Sequence, residues 1–148
     1  MEHGPLVLRV CAAVVGPVDA DDAWSETFLA ALRTYPDLRP DSNVRGWLVT
    51  IAHSKSIDVI RRRTRTPIPS AQMPEPAVHD AADAIDEDLR DALHALGPKQ
   101  QRAVIYRHLA GMSYAEIAQL LDSSEAAARR SVTDGIASLR RHYQKGRI

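Results

Sequence analysis

The sequence predicts an all-α protein: two small helical domains joined by a Pro-rich linker, the C-terminal one a four-helix domain ending in a helix-turn-helix. Three observations carry that expectation. Apolar residues recur at helical spacing along both halves, and no alternating run is long enough to demand a sheet. Residues 66–85 open with four prolines in eleven positions, Pro67, Pro69, Pro74 and Pro76. Proline lacks the donor that helices and sheets need, so this stretch reads as a flexible linker between domains at 1–65 and 86–148. Near the end, Ser113 precedes Glu116 by three residues at the head of an apolar helical pattern, which marks a capped helix start.

In the first domain, Val7, Val10, Cys11, Val14 and Val15 follow helical spacing, and Gly16-Pro17 ends that helix. Asp19, Asp21 and Asp22 begin the next, where carboxylates favour the positive end of the helix dipole. That helix is expected to bury Trp24, Phe28, Ala31 and Leu32 and to close at Tyr35-Pro36. After a loop through Asn43, a long helix from Val44 to about Arg63 carries Trp47, Leu48, Ile51, Ala52 and Ile57 on its apolar side. Its last turn, Arg61-Arg62-Arg63, suits the negative end of a helix.

In the second domain, Leu89, Leu93 and Leu96 mark a helix stopping at Gly97-Pro98, and Gln100 to Ala110 make another that Gly111 terminates. From Met112 to Leu121, Tyr114, Ile117, Ala118 and Leu121 share one face. Asp122-Ser123-Ser124 make a turn with a second capping candidate, and a last helix runs from Glu125 to about Arg141. Two short helices with a tight turn between them present the second helix to the DNA major groove.

Composition narrows the function. The 148 residues suit one ordinary domain or two small ones, and 5% aromatic content leans towards helical packing. A formal net charge of zero excludes a uniformly basic coat protein, and the charge is instead local. Arg45, Lys55, Arg61, Arg62, Arg63 and Arg65 meet only Asp58 in their window, while Arg129, Arg130, Arg140, Arg141, Lys145 and Arg147 meet only Asp134. Asp19, Asp21, Asp22 and Glu26 form an acidic patch. The single cysteine, Cys11, precludes an internal disulfide and reads as a buried small apolar residue in a cytoplasmic protein. Pro5 to Val18 is too short and too interrupted, at Arg9, to insert in a membrane. The six histidines lack metal-ligand spacing, and no nucleophile sits with a base. The expectation is a protein with no metal, no cofactor and no chemistry of its own.

Four segments resemble a known family. Asp19-Ala20-Asp21-Asp22-Ala23-Trp24-Ser25-Glu26-Thr27-Phe28 is similar to the D-A-E-D-x-x-Q-E-x-F segment of bacterial sigma factors of the extracytoplasmic-function group. Val44-Arg45-Gly46-Trp47-Leu48, Ile51-Ala52-His53-Ser54 and Asp58-Val59-Ile60-Arg61-Arg62-Arg63 resemble its F-R-x-W-L, I-A-R-N and D-x-x-R-R-R elements in order. Leu96-Gly97-Pro98 through Arg102 and Val104 is similar to L-P-x-x-x-R-x-V, and Gly111-Met112-Ser113-Tyr114-Ala115-Glu116-Ile117-Ala118 to G-x-S-Y-x-E-I-A. The four stand in the family's order across nearly the whole chain.

The resemblance implies roles. Asp19, Asp21, Asp22, Ser25 and Glu26 would dock on the clamp helices of core RNA polymerase. Arg39, Asn43, Arg45, Trp47, His53, Lys55, Arg61 and Arg62 would recognise and melt the −10 promoter element, with Trp47 either a contact or core. Ser124, Glu125, Ala126, Ala127, Arg129, Arg130 and Thr133 would read the −35 element as duplex, on a domain that also sits on the polymerase flap. An anti-sigma factor is the family's common control. The sequence departs from the family in a shortened start, at Ser25 where Gln is usual, at Ser54 for Asn, and at Ser131 and Asp134 for Arg. Two alternatives share these features. One is a sigma-like decoy that binds polymerase or an anti-sigma factor without opening promoters. The other is a stand-alone helix-turn-helix regulator.

Overall fold

Residues 3–35, 43–65 and 87–145 are described by the structure, a computed structural model. The expected linker at 66–85, Arg39 and Arg147 lie outside them. Seven α-helices and one π-helical turn are found among the described residues. The chain divides into two compact units, Met1–Ala84 and Ile85–Ile148.

In the first unit, α1 (Gly4–Val15), α2 (Ala20–Thr34) and α3 (Val44–Arg65) each pack on the other two. Helix α1 is apolar nearly all round and is accordingly buried, with Val7, Val10, Cys11 and Ala13 closed to solvent. Pro5 occupies its first turn, where a missing N–H costs nothing. It ends at Gly16, whose φ of +88° suits a residue without Cβ and whose N–H donates to the Ala12 carbonyl at 3.0 Å.

Helix α2 differs from the expected pattern. Its buried face is Ala20, Ala23, Thr27 and Ala31, while Trp24 and Phe28 are half-buried and Leu32 is 72% exposed. Small side chains let α2 approach both neighbours, which moves the large ones to the margin of the contact. There the rings of Trp24 and Phe28 meet tilted by 51°, with centroids 4.8 Å apart, and the Trp24 indole donates to the Gly4 carbonyl at 3.1 Å. The helix closes at Thr34, just before the expected Tyr35-Pro36. Helix α3 buries Leu48, Val49, Ala52, Ser56 and Val59; the expected Trp47, Ile51 and Ile57 flank that stripe and are half-buried.

The second unit holds α4 (Glu87–His94), α5 (Pro98–Val104), a π-helical turn (Ile105–Leu109), α6 (Tyr114–Leu120) and α7 (Glu125–Lys145). Helix α7 packs against α4, α5 and α6. Helix α4 stops at His94, before the expected Gly97-Pro98, and leaves Leu96 beyond its end. Helix α5 starts at Pro98, two residues earlier than the apolar pattern indicated, because proline is suited to a first turn. The π turn widens the helix end: the Ala110 N–H donates to the Ile105 carbonyl at 3.2 Å and the Met112 N–H to the Tyr106 carbonyl at 3.0 Å. Tyr106 is thereby fully buried. Gly111, at φ +68°, turns the chain into α6.

The helix-turn-helix is capped at both joints. Ser113 Oγ accepts from the Glu116 N–H at 3.1 Å, and Glu116 Oε1 accepts from the Ser113 N–H at 2.9 Å. At the far end of α6, Asp122 takes a left-handed φ of +54°, and the Ser123 N–H returns to the Ala118 carbonyl at 2.9 Å. Ser124 Oγ then accepts from the Ala127 N–H at 3.0 Å and starts α7. That helix continues past the expected Arg141 to Lys145. It buries Ala128, Val132 and Leu139, with Gly135 on the same face.

Candidate nucleic-acid interface

Two surfaces collect the predicted site residues, one in each unit. In the first unit, α2 and α3 enclose an open groove of about 910 Å³ whose lining includes Glu26, Leu29, Arg33, Lys55, Arg61 and Arg65. Arg62 also lines it. The groove therefore joins one residue expected to meet polymerase, Glu26, to three expected to meet DNA. Arg45, Trp47 and His53 lie outside its lining.

Acid and base are paired across this surface. Arg62 Nη2 lies 3.1 Å from Glu26 Oε1 and 3.2 Å from Oε2, a two-oxygen contact. Arg63 Nη1 lies 2.8 Å from Asp19 Oδ2. Asp19 thus turns its side chain to Arg63 and makes no capping bond to α2. The Arg62–Glu26 pair is largely solvated, with Arg62 55% and Glu26 36% exposed, and contributes at most about 1 kcal/mol; in the other pair Arg63 is 42% exposed but Asp19 only 18%. Asp22 and Ser25 are exposed and Asp21 half-exposed. Asn43 has a structural duty as well: its Oδ1 accepts from the Gly46 N–H at 3.1 Å, the capping bond of α3. Trp47 faces Tyr35 with centroids 6.5 Å apart and is only half-buried.

Sequence reasoning missed Arg33 and Arg65 in the groove and the exposed apolar residues of α2. Leu29 and Leu32, 54% and 72% exposed, lie on that helix with Tyr35, 63% exposed, just past its end. Helical spacing alone gives no sign of which apolar face a neighbour will cover.

In the second unit, Ser124, Glu125, Ala126, Ala127, Arg129, Arg130 and Thr133 are all exposed. They stand together at the N-terminal end of α7, away from the buried Ala128, Val132 and Leu139. Two small alanines between longer polar residues permit close approach to a flat or grooved partner. Arg129 and Arg130 bring forked donors suited to guanine edges or phosphates. Asp134 is exposed one turn further on. Helical spacing carries no sign of the two guanidinium groups on Tyr114: Arg107 Cζ lies 4.3 Å and Arg129 Cζ 4.9 Å from the ring centroid. Among the described residues no group of three His, Cys, Asp or Glu is gathered for a metal, and no helix is long and apolar enough to cross a membrane.

These features define a class, a helical protein of two units whose second carries a helix-turn-helix. Comparison with known proteins is consistent across its length. Residues 1–66 match the family model Sigma-70 region 2, and residues 86–139 match Sigma-70, region 4. The chain is 30% identical to the RNA polymerase sigma factor CarQ of Myxococcus xanthus, over 93% of this chain and 83% of that protein. It is 29% identical to the ECF RNA polymerase sigma factor SigE of Mycolicibacterium smegmatis, over 97% of this chain but only 60% of that longer protein. The fold also matches the sigma factor RpoE solved with the anti-sigma factor NepR from Bartonella quintana. That match has a TM-score of 0.75 at 22% identity and covers 97% of this chain and 94% of that one. The chain belongs to the sigma-70 family of RNA polymerase sigma factors, in its extracytoplasmic-function group. It is an alternative sigma factor and directs transcription initiation.

Proposed function

We propose a division of labour between the two units of this sigma factor. The acidic start of α2, with Asp21, Asp22, Ser25 and Glu26, docks on the clamp helices of core RNA polymerase. Residues of α3 and of the segment before it, Arg39, Arg45, Trp47, His53, Lys55 and Arg61 among them, capture the −10 element as it opens. The second unit sits on the flap and reads the −35 element through the N-terminal end of α7. The chain works in the cytoplasm and carries out no chemistry itself, leaving bond formation to the polymerase. An anti-sigma factor holds it inactive until a signal arrives; RpoE of Bartonella quintana was solved with the anti-sigma factor NepR, and CnrH with the cytosolic domain of CnrY.

The observation that best supports this reading is the simultaneous exposure of all seven −35 candidates at the start of a helix whose other face is packed. The test is competition between the purified chain and a housekeeping sigma factor for core RNA polymerase, followed by promoter opening on DNA selected by the resulting holoenzyme. Displacement with opening is the expected result. Displacement without opening identifies a decoy, and a symmetric half-site footprint with no polymerase binding identifies a stand-alone regulator.

A further inference from the structure

We propose that Tyr114 is a specificity-determining positioning residue: it fixes the guanidinium of Arg129 so that this side chain discriminates between base pairs, while neighbouring Arg130 supplies attraction only. The inference rests on the reading of α7 as the promoter-reading helix.

An arginine reads a base pair only when its planar fork is held in one orientation. Arg129 is 59% exposed in its side chain, so packing does not hold it. Among the described residues its one ion-pair partner, Glu125, lies 3.6 Å away and is 57% exposed, too long for a hydrogen bond and too solvated to fix an orientation. The contact that can hold it is the ring of Tyr114, 4.9 Å from its Cζ. A guanidinium over an aromatic face keeps its edge donors available while its flat face is covered. Among the described residues Arg130 has no ion pair, hydrogen bond or ring contact.

The ring itself is well anchored. Tyr114 is the first residue of α6, directly after the Ser113–Glu116 capping box, and is half-buried. Arg107 reaches from the π turn, lies 4.3 Å from the same ring and donates through Nη1 to the Met112 carbonyl at 3.0 Å. Loop, cap and ring are thus tied together before Arg129 meets them.

The experiment uses the full chain assembled with core RNA polymerase. The probes are a duplex selected from a pool randomised at the −35 element and its single-base-pair substitutions. The readout is the ratio of affinities for selected and substituted duplexes, with the salt dependence of binding measured alongside. Tyr114→Phe keeps the ring and is expected to keep the ratio. Tyr114→Leu is expected to lower it by about 2- to 5-fold at one base pair, the range of an exposed cation–π contact, with the salt slope unchanged. Arg130→Ala is expected to weaken all duplexes together and to reduce the salt slope by about 1.

The cycle with Arg129→Ala separates positioning from mere folding. In an Arg129→Ala background the Tyr114→Leu effect must disappear. If it persists there, or if Tyr114→Leu leaves the ratio at the wild-type value while Arg129→Ala lowers it, the proposal is overturned. If Arg129→Ala itself leaves the ratio unchanged, the assignment of α7 as the reader fails, and the proposal fails with it. The two failures are therefore told apart by the Arg129→Ala measurement.

Discussion

Arg129 and Arg130 are adjacent, and both are exposed at the start of α7. Replacing both by alanine removes at least one fork that can pair with a base edge, a loss of about 1–3 kcal/mol in promoter binding. Polymerase binding is expected to survive, and a pull-down of core polymerase by the double variant checks this; loss of both activities together would indicate misfolding. Cys11 makes a second prediction at this scale. Burial pushes its thiol from 9.0 up to about 11, with the Ser56 and Thr27 hydroxyls pulling weakly the other way. The thiol is therefore protonated and shielded near neutral pH. A thiol reagent at pH 8 is expected to label it only as fast as the first unit opens; prompt stoichiometric labelling of the native chain would contradict this. Because the folded value is the higher one, the thiol's contribution to stability is complete below about 9. It is lost as pH rises from there through about 11, so urea midpoints of the first unit fall over that window.

At the scale of single helices, Gly135 is the position most sensitive to a small change. It lies in the middle of α7, where alanine would normally be favoured by about 1 kcal/mol. Yet a Cβ placed there comes within 2.5 Å of Val104 Cγ2, a stiff β-branched side chain that is itself buried. Overpacking outweighs propensity, and Gly135→Ala is expected to destabilise the second unit by about 1–3 kcal/mol in thermal or urea unfolding. This glycine also shows what a sequence conceals. The caps of α6 and α7 were legible because Ser113, Glu116 and Ser124 bond to backbone only three residues away, so spacing alone specifies them. Helix order followed from periodicity in the same way, whereas the residues at the exposed start of α7 were singled out by the family resemblance. Leu32 was misplaced because periodicity finds an apolar stripe without saying whether small or large residues will form the contact; here Ala20, Ala23, Thr27 and Ala31 do. The pairs Arg62–Glu26 and Arg63–Asp19 bridge sequence separations of 36 and 44 residues, and the two arginines on Tyr114 likewise join separate helices. No local rule reaches them.

At the scale of the whole chain, a net charge of zero hides strong local imbalance, and each imbalance falls within one unit. Each unit also has a core of its own, built around α1 in the first and against α7 in the second. The two units are therefore expected to fold when produced apart, as residues 1–65 and 87–148, with circular dichroism showing helical content and a cooperative melt for each. Domains of this size bury a modest share of their surface, so each should show no more than about 3–5 kcal/mol of stability. A fragment that remained unstructured would show that its core depends on the other half of the chain.

The π turn at Ile105–Leu109 has a consequence for variation in chain length. A turn of this kind holds one residue more than the surrounding helix requires. Removing one residue there would close the ladder back to ordinary α geometry, but the helix ends at this turn, and the buried Ile105 and Tyr106, with the Met112 N–H bonded to the Tyr106 carbonyl, would lose their placement. The same deletion inside α7 would rotate everything beyond it by roughly 100°, turning part of its packed face towards solvent. The turn is thus no place where a one-codon change is absorbed, and a deletion scan read out by thermal stability should show losses between Ile105 and Leu109 as large as those inside α7.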